Sequence, residues 1–294
     1  MRKISKFPQF DIFAAYMHDE LFPLLNELDD GISEFTFLSL YLHQKKYNYK
    51  ISSLENGTYI LSGIDKYGDF FAVMGNDIDI ASLQELLNTH GRWKLISETL
   101  YEKHKDFLES LLYTVTEDRD NEDYLYSKES LSTLAGKSLQ KKRNLANNFE
   151  KSYTYKVLPL DITTAPDAGF VLDQWQKTRP DAIPTDYEQC FFALSLLPFV
   201  HQQGIVLYVD DIPVAWALGE PIAKNSAFVV HFEKGLDDYK GVYQFINKAT
   251  AQFLDNSFQY INREQDLGDE GLRQAKLTYR PIGFVKKYVA KIEV

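Results

Sequence analysis

Carboxylates and cations are concentrated between residues 260 and 281, the part of the chain best suited to chemistry. Alternation along a predicted strand puts Asn262 and Glu264 on one face, so two polar groups leave the sheet together. Asp266 follows in a loop, and Arg273 and Lys276 share one side of the next predicted helix. Such a set can hold an ammonium group on its carboxylates and a phosphate or a developing oxyanion on its cations. The alternative is an internal ion-pair network that ties the helix to the strand.

A second candidate is a helix predicted over residues 130–149, whose basic centre contains no acidic residue. At about 100° per residue, Lys142 falls in the middle of the apolar face, Lys137 and Lys141 lie on one flank, and Arg143 lies on the other. The three flanking cations can reach solvent or an anionic partner. Lys142 must either extend its ammonium group to water or a carboxylate, or enter a polar site between two domains.

Two further side chains are weaker candidates. His231 shares a strand face with Glu233, where a general base is conceivable, although a histidine with satisfied hydrogen bonds is the more common case. Tyr279, just past the helix that carries Lys276, is a candidate general acid. The single cysteine, Cys190, sits in an apolar stretch that predicts a buried small hydrophobe. The sequence has no closely spaced His/Cys cluster, so we predict no metal.

Short strands and amphipathic helices must position these groups, and their order repeats in the two halves. The first half predicts two helices, a three-stranded meander, and then helix, strand, helix and strand. The second half predicts a strand, two helices, three strands and a long helix, and then strand, helix and strand. The predicted elements span residues 10–28, 33–45, 47–54, 58–63, 70–75, 80–89, 93–96, 99–108 and 111–116, and then 153–159, 166–177, 186–199, 204–209, 214–218, 227–232, 239–254, 258–262, 270–277 and 287–292.

An acidic stretch without apolar periodicity, residues 117–123, separates the halves and predicts a solvated linker. The element order resembles that of the GNAT acyltransferases. We therefore expect an α/β (α+β) fold of two tandem GNAT-like domains, with mixed, mostly antiparallel sheets flanked by helices. The expected bounds are 1–120 for the first domain, 121–152 for the acidic linker and basic connecting helix, and 153–294 for the second domain, which carries the candidate site.

Composition narrows the classes of partner. A chain of 294 residues is longer than one hydrophobic core usually supports. The formal charge of −10 argues against a protein that grips polyanions with its whole surface, and allows only a local basic patch. The longest apolar run, residues 191–200, falls well short of the roughly 20 residues that span a bilayer. The N-terminus does not read as a signal peptide, so we expect a cytoplasmic protein without an integral membrane segment.

Two stretches carry a resemblance to a known family. Residues 262–276 read Asn-x-Glu-Gln-Asp-Leu-Gly followed by Leu-Arg-x-x-Lys, and residues 123–126 with 134–144 match less specifically. They resemble the phosphatidylglycerol lysyltransferase C-terminal-domain family, in its branch without membrane spans. The resemblance implies a tandem GNAT fold with a basic helix between the halves. It also implies transfer of an aminoacyl group from aminoacyl-tRNA to a lipid hydroxyl.

The same resemblance implies roles by position. A tRNA acceptor end would meet Lys141, Lys142 and Arg143, with Lys137 beside them. The reaction site would be framed by Glu264, Asp266, Arg273 and Lys276. Because the relatives' membrane-spanning half has no counterpart in this sequence, the acceptor stays open between a lipid and a small molecule.

A coenzyme A donor is disfavoured in both halves. Ordinary GNAT enzymes hold its pyrophosphate on a loop of the form Arg/Gln-x-x-Gly-x-Gly/Ala at a helix N-terminus. The equivalent residues 238–243 read Asp-Tyr-Lys-Gly-Val-Tyr, where only Gly241 fits, and residues 75–79 of the first half are acidic. We therefore expect no cofactor and favour an acyl- or aminoacyltransferase. The alternatives are a non-catalytic tandem-GNAT module that binds a ligand, and a coenzyme A-dependent N-acetyltransferase.

Overall fold

Two seven-stranded mixed sheets flanked by helices form the computed structural model, which describes residues 3–180 and 184–292. The first half contributes strands β1 to β6 and helices α1 to α4. Their bounds are β1 Asp11–Ile12, α1 His18–Asn26, α2 Phe37–Tyr47, β2 Lys50–Ser53, β3 Tyr59–Asp65, β4 Gly68–Met74, α3 Ile80–His90, β5 Arg92–Ile96, α4 Glu98–Ser110 and β6 Tyr113–Glu117. This half follows the predicted order, except that the segment expected as one helix from residue 10 to 28 forms β1 and then α1, because β1 pairs with β2.

The remaining strands and helices build the second sheet and complete the first. Their bounds are β7 Asp123–Ser127, α5 Lys128–Thr133, α6 Gln140–Ser152, β8 Tyr155–Pro159, α7 Ala165–Lys177, α8 Tyr187–Ser195, β9 Gln203–Val209, β10 Ile212–Ile222, β11 Ala227–Gly235, α9 Val242–Phe253, β12 Tyr260–Asn262, α10 Glu270–Leu277, β13 Gly283–Val285 and β14 Tyr288–Ile292. The strand orders are β1-β2-β3-β4-β5-β14-β6 and β13-β7-β12-β11-β10-β9-β8. The predicted fold class, two tandem GNAT-like units, is confirmed.

Each sheet contains one strand that is far along the chain from the strands on either side of it. β14 lies between β5 and β6 and pairs antiparallel with both. β7 lies between β12 and β13 in the same way. The expectation of a solvated linker is therefore wrong for residues 122 and 123, since both are buried and Asp123 begins β7. A division of the chain at residues 120 and 153 would cut through both sheets.

The basic helix expected over residues 130–149 is interrupted. α5 ends at Thr133, and α6 begins at Gln140. Leu134 (φ 49°) and Gly136 (φ 86°) adopt left-handed conformations that cannot continue a helix. The Arg143 side chain returns to this break, because its Nη1 donates to the carbonyl oxygens of Leu134 at 2.6 Å and Gly136 at 3.0 Å. Arg143 thus satisfies backbone groups that the break leaves open.

A single apolar core runs through the junction between the halves. Phe37 and Leu40 of α2 belong to the same cluster of buried residues as Leu194 of α8 and Trp216 of β10. The first sheet has a second core on its other face, where Trp93 of β5 is fully buried. Because α2 packs against the second half, side chains from both halves can face the same space.

The open wedge of the second sheet lies where β11 and β12 separate. These two strands run parallel and pair only from Ala227 with Tyr260 to Val229 with Asn262. β11 continues to Gly235, whereas β12 ends at Asn262. Side chains beyond that last pair therefore line a gap between diverging strands.

Candidate functional site

A cavity of about 850 Å³ occupies this wedge, and α2 closes it from the first half. Its lining is rich in ionisable groups of both signs, which come from α2, β11, the loop after β12 and α10. They include His43, Lys46, His231, Glu233, Arg263, Glu264, Lys276 and Tyr279. Of the residues singled out in the sequence, the structure thus brings His231, Glu264, Lys276 and Tyr279 to one cavity.

His231 is held between two carboxylates. Its Nδ1 lies 2.7 Å from Glu264 Oε1, and its Nε2 lies 3.0 Å from Glu220 Oε2. Burial alone lowers the pKa of this histidine, but the hydrogen bonds to Glu220 and Glu264 outweigh burial and raise the pKa to about 10. The imidazolium donates both N–H groups and has no lone pair left to accept a proton. Of the two roles that the sequence left open, a general base or a histidine with satisfied hydrogen bonds, the structure corresponds to the second.

Glu264 and Lys276 face the cavity from the loop after β12 and from α10. The Glu264 side chain is 29% exposed and pairs only with His231 among the described residues. Lys276 Nζ donates to the carbonyl oxygens of Arg263 and, at 3.1 Å, of Glu264. Among the described residues it forms no ion pair with a carboxylate. Burial, reinforced by the charge of Arg263, lowers the pKa of Lys276 to about 8. The Glu264 carboxylate is thus partly accessible, and the Lys276 ammonium group lies in the same cavity without a carboxylate partner among the described residues.

Asp266 and Arg273 form an ion pair with each other. Asp266 is fully buried and accepts hydrogen bonds from Arg273 Nε at 3.0 Å and Nη2 at 2.8 Å. It also accepts from the Tyr124 hydroxyl at 2.6 Å and Arg119 at 3.3 Å, and these donors, Arg273 foremost, hold its pKa well below the usual range. Neither residue lines the cavity. For this pair, the structure corresponds to the ion-pair network, with Asp120 as a further partner of Arg273.

Asn262 shapes the site from beneath. It is fully buried, and its Nδ2 donates to the Gly31 carbonyl and to Asp123 Oδ2, each at 3.0 Å. Its Oδ1 accepts the Glu264 amide at 2.8 Å, which fixes the loop that carries this carboxylate. Glu264 has a φ of 55°, a strained value that the Asn262 bond stabilises. Asn262 is thus placed to position Glu264, and it does not line the cavity.

Asp123 is a residue that sequence reasoning missed. Its buried carboxylate accepts from Ser33 N and Oγ, Gln265 Nε2 and Lys287 Nζ, in addition to Asn262. Lys287 is fully buried and also pairs with Glu34. Asp123 lies in a stretch that carries the family resemblance, but its pairing could not be read from the sequence, because its partners lie far from it along the chain.

A basic cleft of about 420 Å³ lies between α6 and α10, and Lys141, Lys142 and Arg280 line it. Tyr279 lines the neighbouring cavity, and Lys142 Nζ lies 4.4 Å from the centroid of its ring. The guanidinium of Arg263 lies 5.2 Å from the same centroid. Tyr279 of the cavity lining therefore contacts Lys142 of the cleft lining, and the two spaces are neighbours.

The four cations of the basic segment lie in three different places. Lys141 and Lys142 line the cleft, and burial lowers the pKa of Lys142. Lys137 is exposed in the turn before α6 and does not line the cleft. The Arg143 side chain instead donates to the Leu134 carbonyl oxygen at the break between α5 and α6. Arg280 was not expected from the sequence, because only the fold of the α10 C-terminus brings it to this side.

The start of α9, where a GNAT enzyme binds pyrophosphate, is covered by α6. Gly241 begins this helix with a φ of 91°, and a Cβ added there would lie 2.4 Å from the Leu145 carbonyl oxygen. Glycine is therefore required here for close helix packing as well as for its backbone conformation. The glycine that fitted the phosphate-loop pattern has a packing role.

His43 and Lys46 also escaped the sequence reasoning. They lie on one side of α2, three residues apart, and both line the cavity. The sequence showed only two polar residues at helical spacing in a helix of the first half. The packing of α2 over the second sheet brings them to the cavity.

The tandem GNAT-like sheets, with a polar cavity in the wedge of the second, define an acyltransferase-like fold. The family model described as phosphatidylglycerol lysyltransferase, C-terminal, matches residues 25–291, and the chain belongs to that family. None of the described helices is both long and apolar enough to cross a membrane.

Individual proteins of similar structure or sequence are as follows. A crystal structure of a conserved protein of unknown function from Bacteroides thetaiotaomicron VPI-5482 is similar with a TM-score of 0.88 and 26% identity, over 97% of this chain and 99% of that one. The structure of L-PGS from Bacillus licheniformis shares the fold with a TM-score of 0.65 and 16% identity, over 100% of this chain and 95% of that one. An uncharacterized protein of Mycoplasmoides gallisepticum is 27% identical over 181 residues, 58% of this chain and 56% of the relative's length.

Proposed function

We propose that this protein transfers an aminoacyl group from aminoacyl-tRNA to a lipid or small-molecule acceptor. The observation that carries the proposal is the adjacency of the basic cleft and the charged cavity, where Lys142 of the cleft lies over the ring of Tyr279 in the cavity lining. A donor with a polyanionic body and a cationic acyl group needs these two environments side by side. The family description and the fold of L-PGS support the same class of reaction.

The donor is assigned to the site by charge. Phosphates of the tRNA end would lie against Lys141, Lys142 and Arg280 in the cleft. The α-ammonium of the aminoacyl group would bind Glu264, the exposed part of whose carboxylate faces the cavity. Lys276 would then face the ester carbonyl, where its positive charge stabilises the oxyanion that develops during transfer.

The experiment measures loss of ester from pooled aminoacyl-tRNA incubated with purified protein, with and without a total lipid extract. We expect extract-dependent loss of the ester of one amino acid. Lys142→Glu should slow it at least tenfold, because reversing this charge repels phosphate from the cleft. Lys151→Glu, the same change at an exposed position of α6 outside the cleft, is the matched control and should retain the wild-type rate.

Two outcomes would refute the proposal. Binding of aminoacyl-tRNA without any loss of ester, with or without the extract, would indicate a non-catalytic binding module. No retention of tRNA on a filter and no loss of ester would reject the aminoacyl-tRNA donor, and titration with coenzyme A thioesters would then test the ordinary GNAT donor.

A further inference from the structure

The cavity contains a histidine from the first half whose hydrogen bonding differs from that of His231. His43 Nδ1 lies 2.9 Å from the carbonyl oxygen of Ser39, one turn earlier in α2. A carbonyl oxygen can only accept, so Nδ1 must carry the hydrogen. In the neutral ring, Nε2 is then an unprotonated acceptor. His43 lines the cavity, so its ring is part of the site.

The surroundings of His43 keep it neutral. Burial lowers its pKa most, and the charges of Lys46 on its own helix and His231 across the cavity lower it further. The bond to Ser39 and the carboxylate of Glu264 act in the opposite direction without reversing the shift. The ring of Tyr47, with its centroid 6.1 Å away, packs beside the imidazole. His43 is therefore an unprotonated imidazole near neutral pH.

The other ionisable groups near the wedge are committed to different tasks. His231 is protonated and donates to two carboxylates. Lys276, whose pKa is near 8, is mostly cationic at neutral pH. Glu233 accepts hydrogen bonds from Arg263 and Asn247. Of these four side chains, His43 is the neutral base, and its Nε2 has no hydrogen-bond partner among the described residues.

We propose that His43 Nε2 is the general base that deprotonates the acceptor, an inference that rests on the proposed aminoacyl transfer. The acceptor oxygen or nitrogen forms a bond to the ester carbonyl carbon, and its proton passes to Nε2. The tetrahedral intermediate collapses by breaking the bond to the tRNA ribose oxygen. Nε2–H returns the proton to that oxygen, so the histidine ends as it began.

This assignment has a consequence for the acceptor. An uncharged hydroxyl group loses a proton only with the help of a base, whereas Glu264 and Lys276 serve the donor. The base comes from α2, and the donor-binding groups come from the second half. The acceptor must therefore enter between the halves, and a compound with an uncharged hydroxyl group is the class that this arrangement fits.

The test compares pH–rate profiles of transfer for wild type and His43→Gln, with His201→Gln as control because His201 is exposed. Wild-type kcat/KM should fall as the pH drops through the lowered pKa of His43, since the protonated ring cannot accept a proton. His43→Gln should lose about 10²–10⁴-fold at pH 7.5 and lose the acidic limb of the profile. Its affinity for the donor should change less than threefold, and His201→Gln should match wild type.

A second readout does not depend on turnover. In ¹⁵N-histidine NMR of the wild-type protein, His43 should show the Nδ1–H tautomer near pH 7. An Nε2–H tautomer, or a His43→Gln variant that transfers at the wild-type rate, would overturn the role of His43 while leaving aminoacyl transfer intact. Absence of any transfer by wild type would overturn the proposed function, and the role of His43 with it.

Discussion

Replacement of Lys287 by methionine should destabilise the protein far more than the same change at its neighbour Lys286. Lys287 is fully buried and pairs with two carboxylates, Asp123 at 2.7 Å and Glu34. Lys286 pairs with Glu117 at the surface, where both side chains are 42% exposed. The two variants differ by one position in the sequence and by the solvation of the charge they remove.

The expected magnitudes follow from that difference. Removing one member of a buried ion pair leaves an uncompensated charge and costs about 3–5 kcal/mol. An exposed pair contributes about 0.2–1 kcal/mol, because water and salt screen it. With an unfolding entropy of about 2.1 cal/mol/K per residue, the first cost corresponds to a fall in Tm of about 5–8 °C for this chain.

The assay is equilibrium unfolding in urea followed by tryptophan fluorescence. Trp93 in β5 and Trp216 in β10 are both fully buried, so each sheet contributes a signal. Lys287→Met should lower the free energy of unfolding by about 3–5 kcal/mol and keep one transition. Equal, small losses in the two variants would refute the reasoning that burial of the Lys287 ion pairs makes their loss costly.

Three further predictions concern separate features. Burial, with a nearby carboxyl group, raises the pKa of Glu122 from 4.5 to about 7, so its contribution to stability is complete below pH 4.5 and lost as the pH rises through 7. Glu122→Gln should therefore stabilise the protein against urea at pH 8 and change little at pH 5. Gly241→Ala should cost more stability in thermal unfolding than Gly136→Ala, because both have positive φ but only Gly241 meets a neighbouring backbone. As the pH rises from 7 to 9, both Lys276 and the donor's α-ammonium lose charge, so filter binding of an amide-linked aminoacyl-tRNA should weaken, and Lys276→Arg should weaken less over the same range because arginine keeps its charge.

The order of helices and strands was predictable, because apolar periodicity is a local property of the sequence. The positions of β7 and β14 in the two sheets could not be predicted. Asp123–Ser127 directly follows an acidic stretch, and its role as a central strand depends on β12 and β13, more than a hundred residues later. The break in the basic segment at Gly136 was readable as a turn signal, but the apolar face on both sides of it favoured a continuous helix.

The candidate site was predictable in composition and less so in pairing. The signature around Glu264 and Lys276 does reach the cavity. The pairing of Asp266 with Arg273 depends on Tyr124, which the fold brings in from β7. His43 could not be singled out, since its significance comes from the packing of α2 over a sheet that lies far along the chain.

The position of β14 in the first sheet also affects folding during synthesis. β14 is synthesised after every strand of the second sheet, yet it fills the space between β5 and β6. Until it emerges, the nascent first half has two unpaired strand edges facing each other, the kind of surface that promotes aggregation. The first sheet closes only after the rest of the molecule has been produced, so the half that is translated first is among the last to be completed.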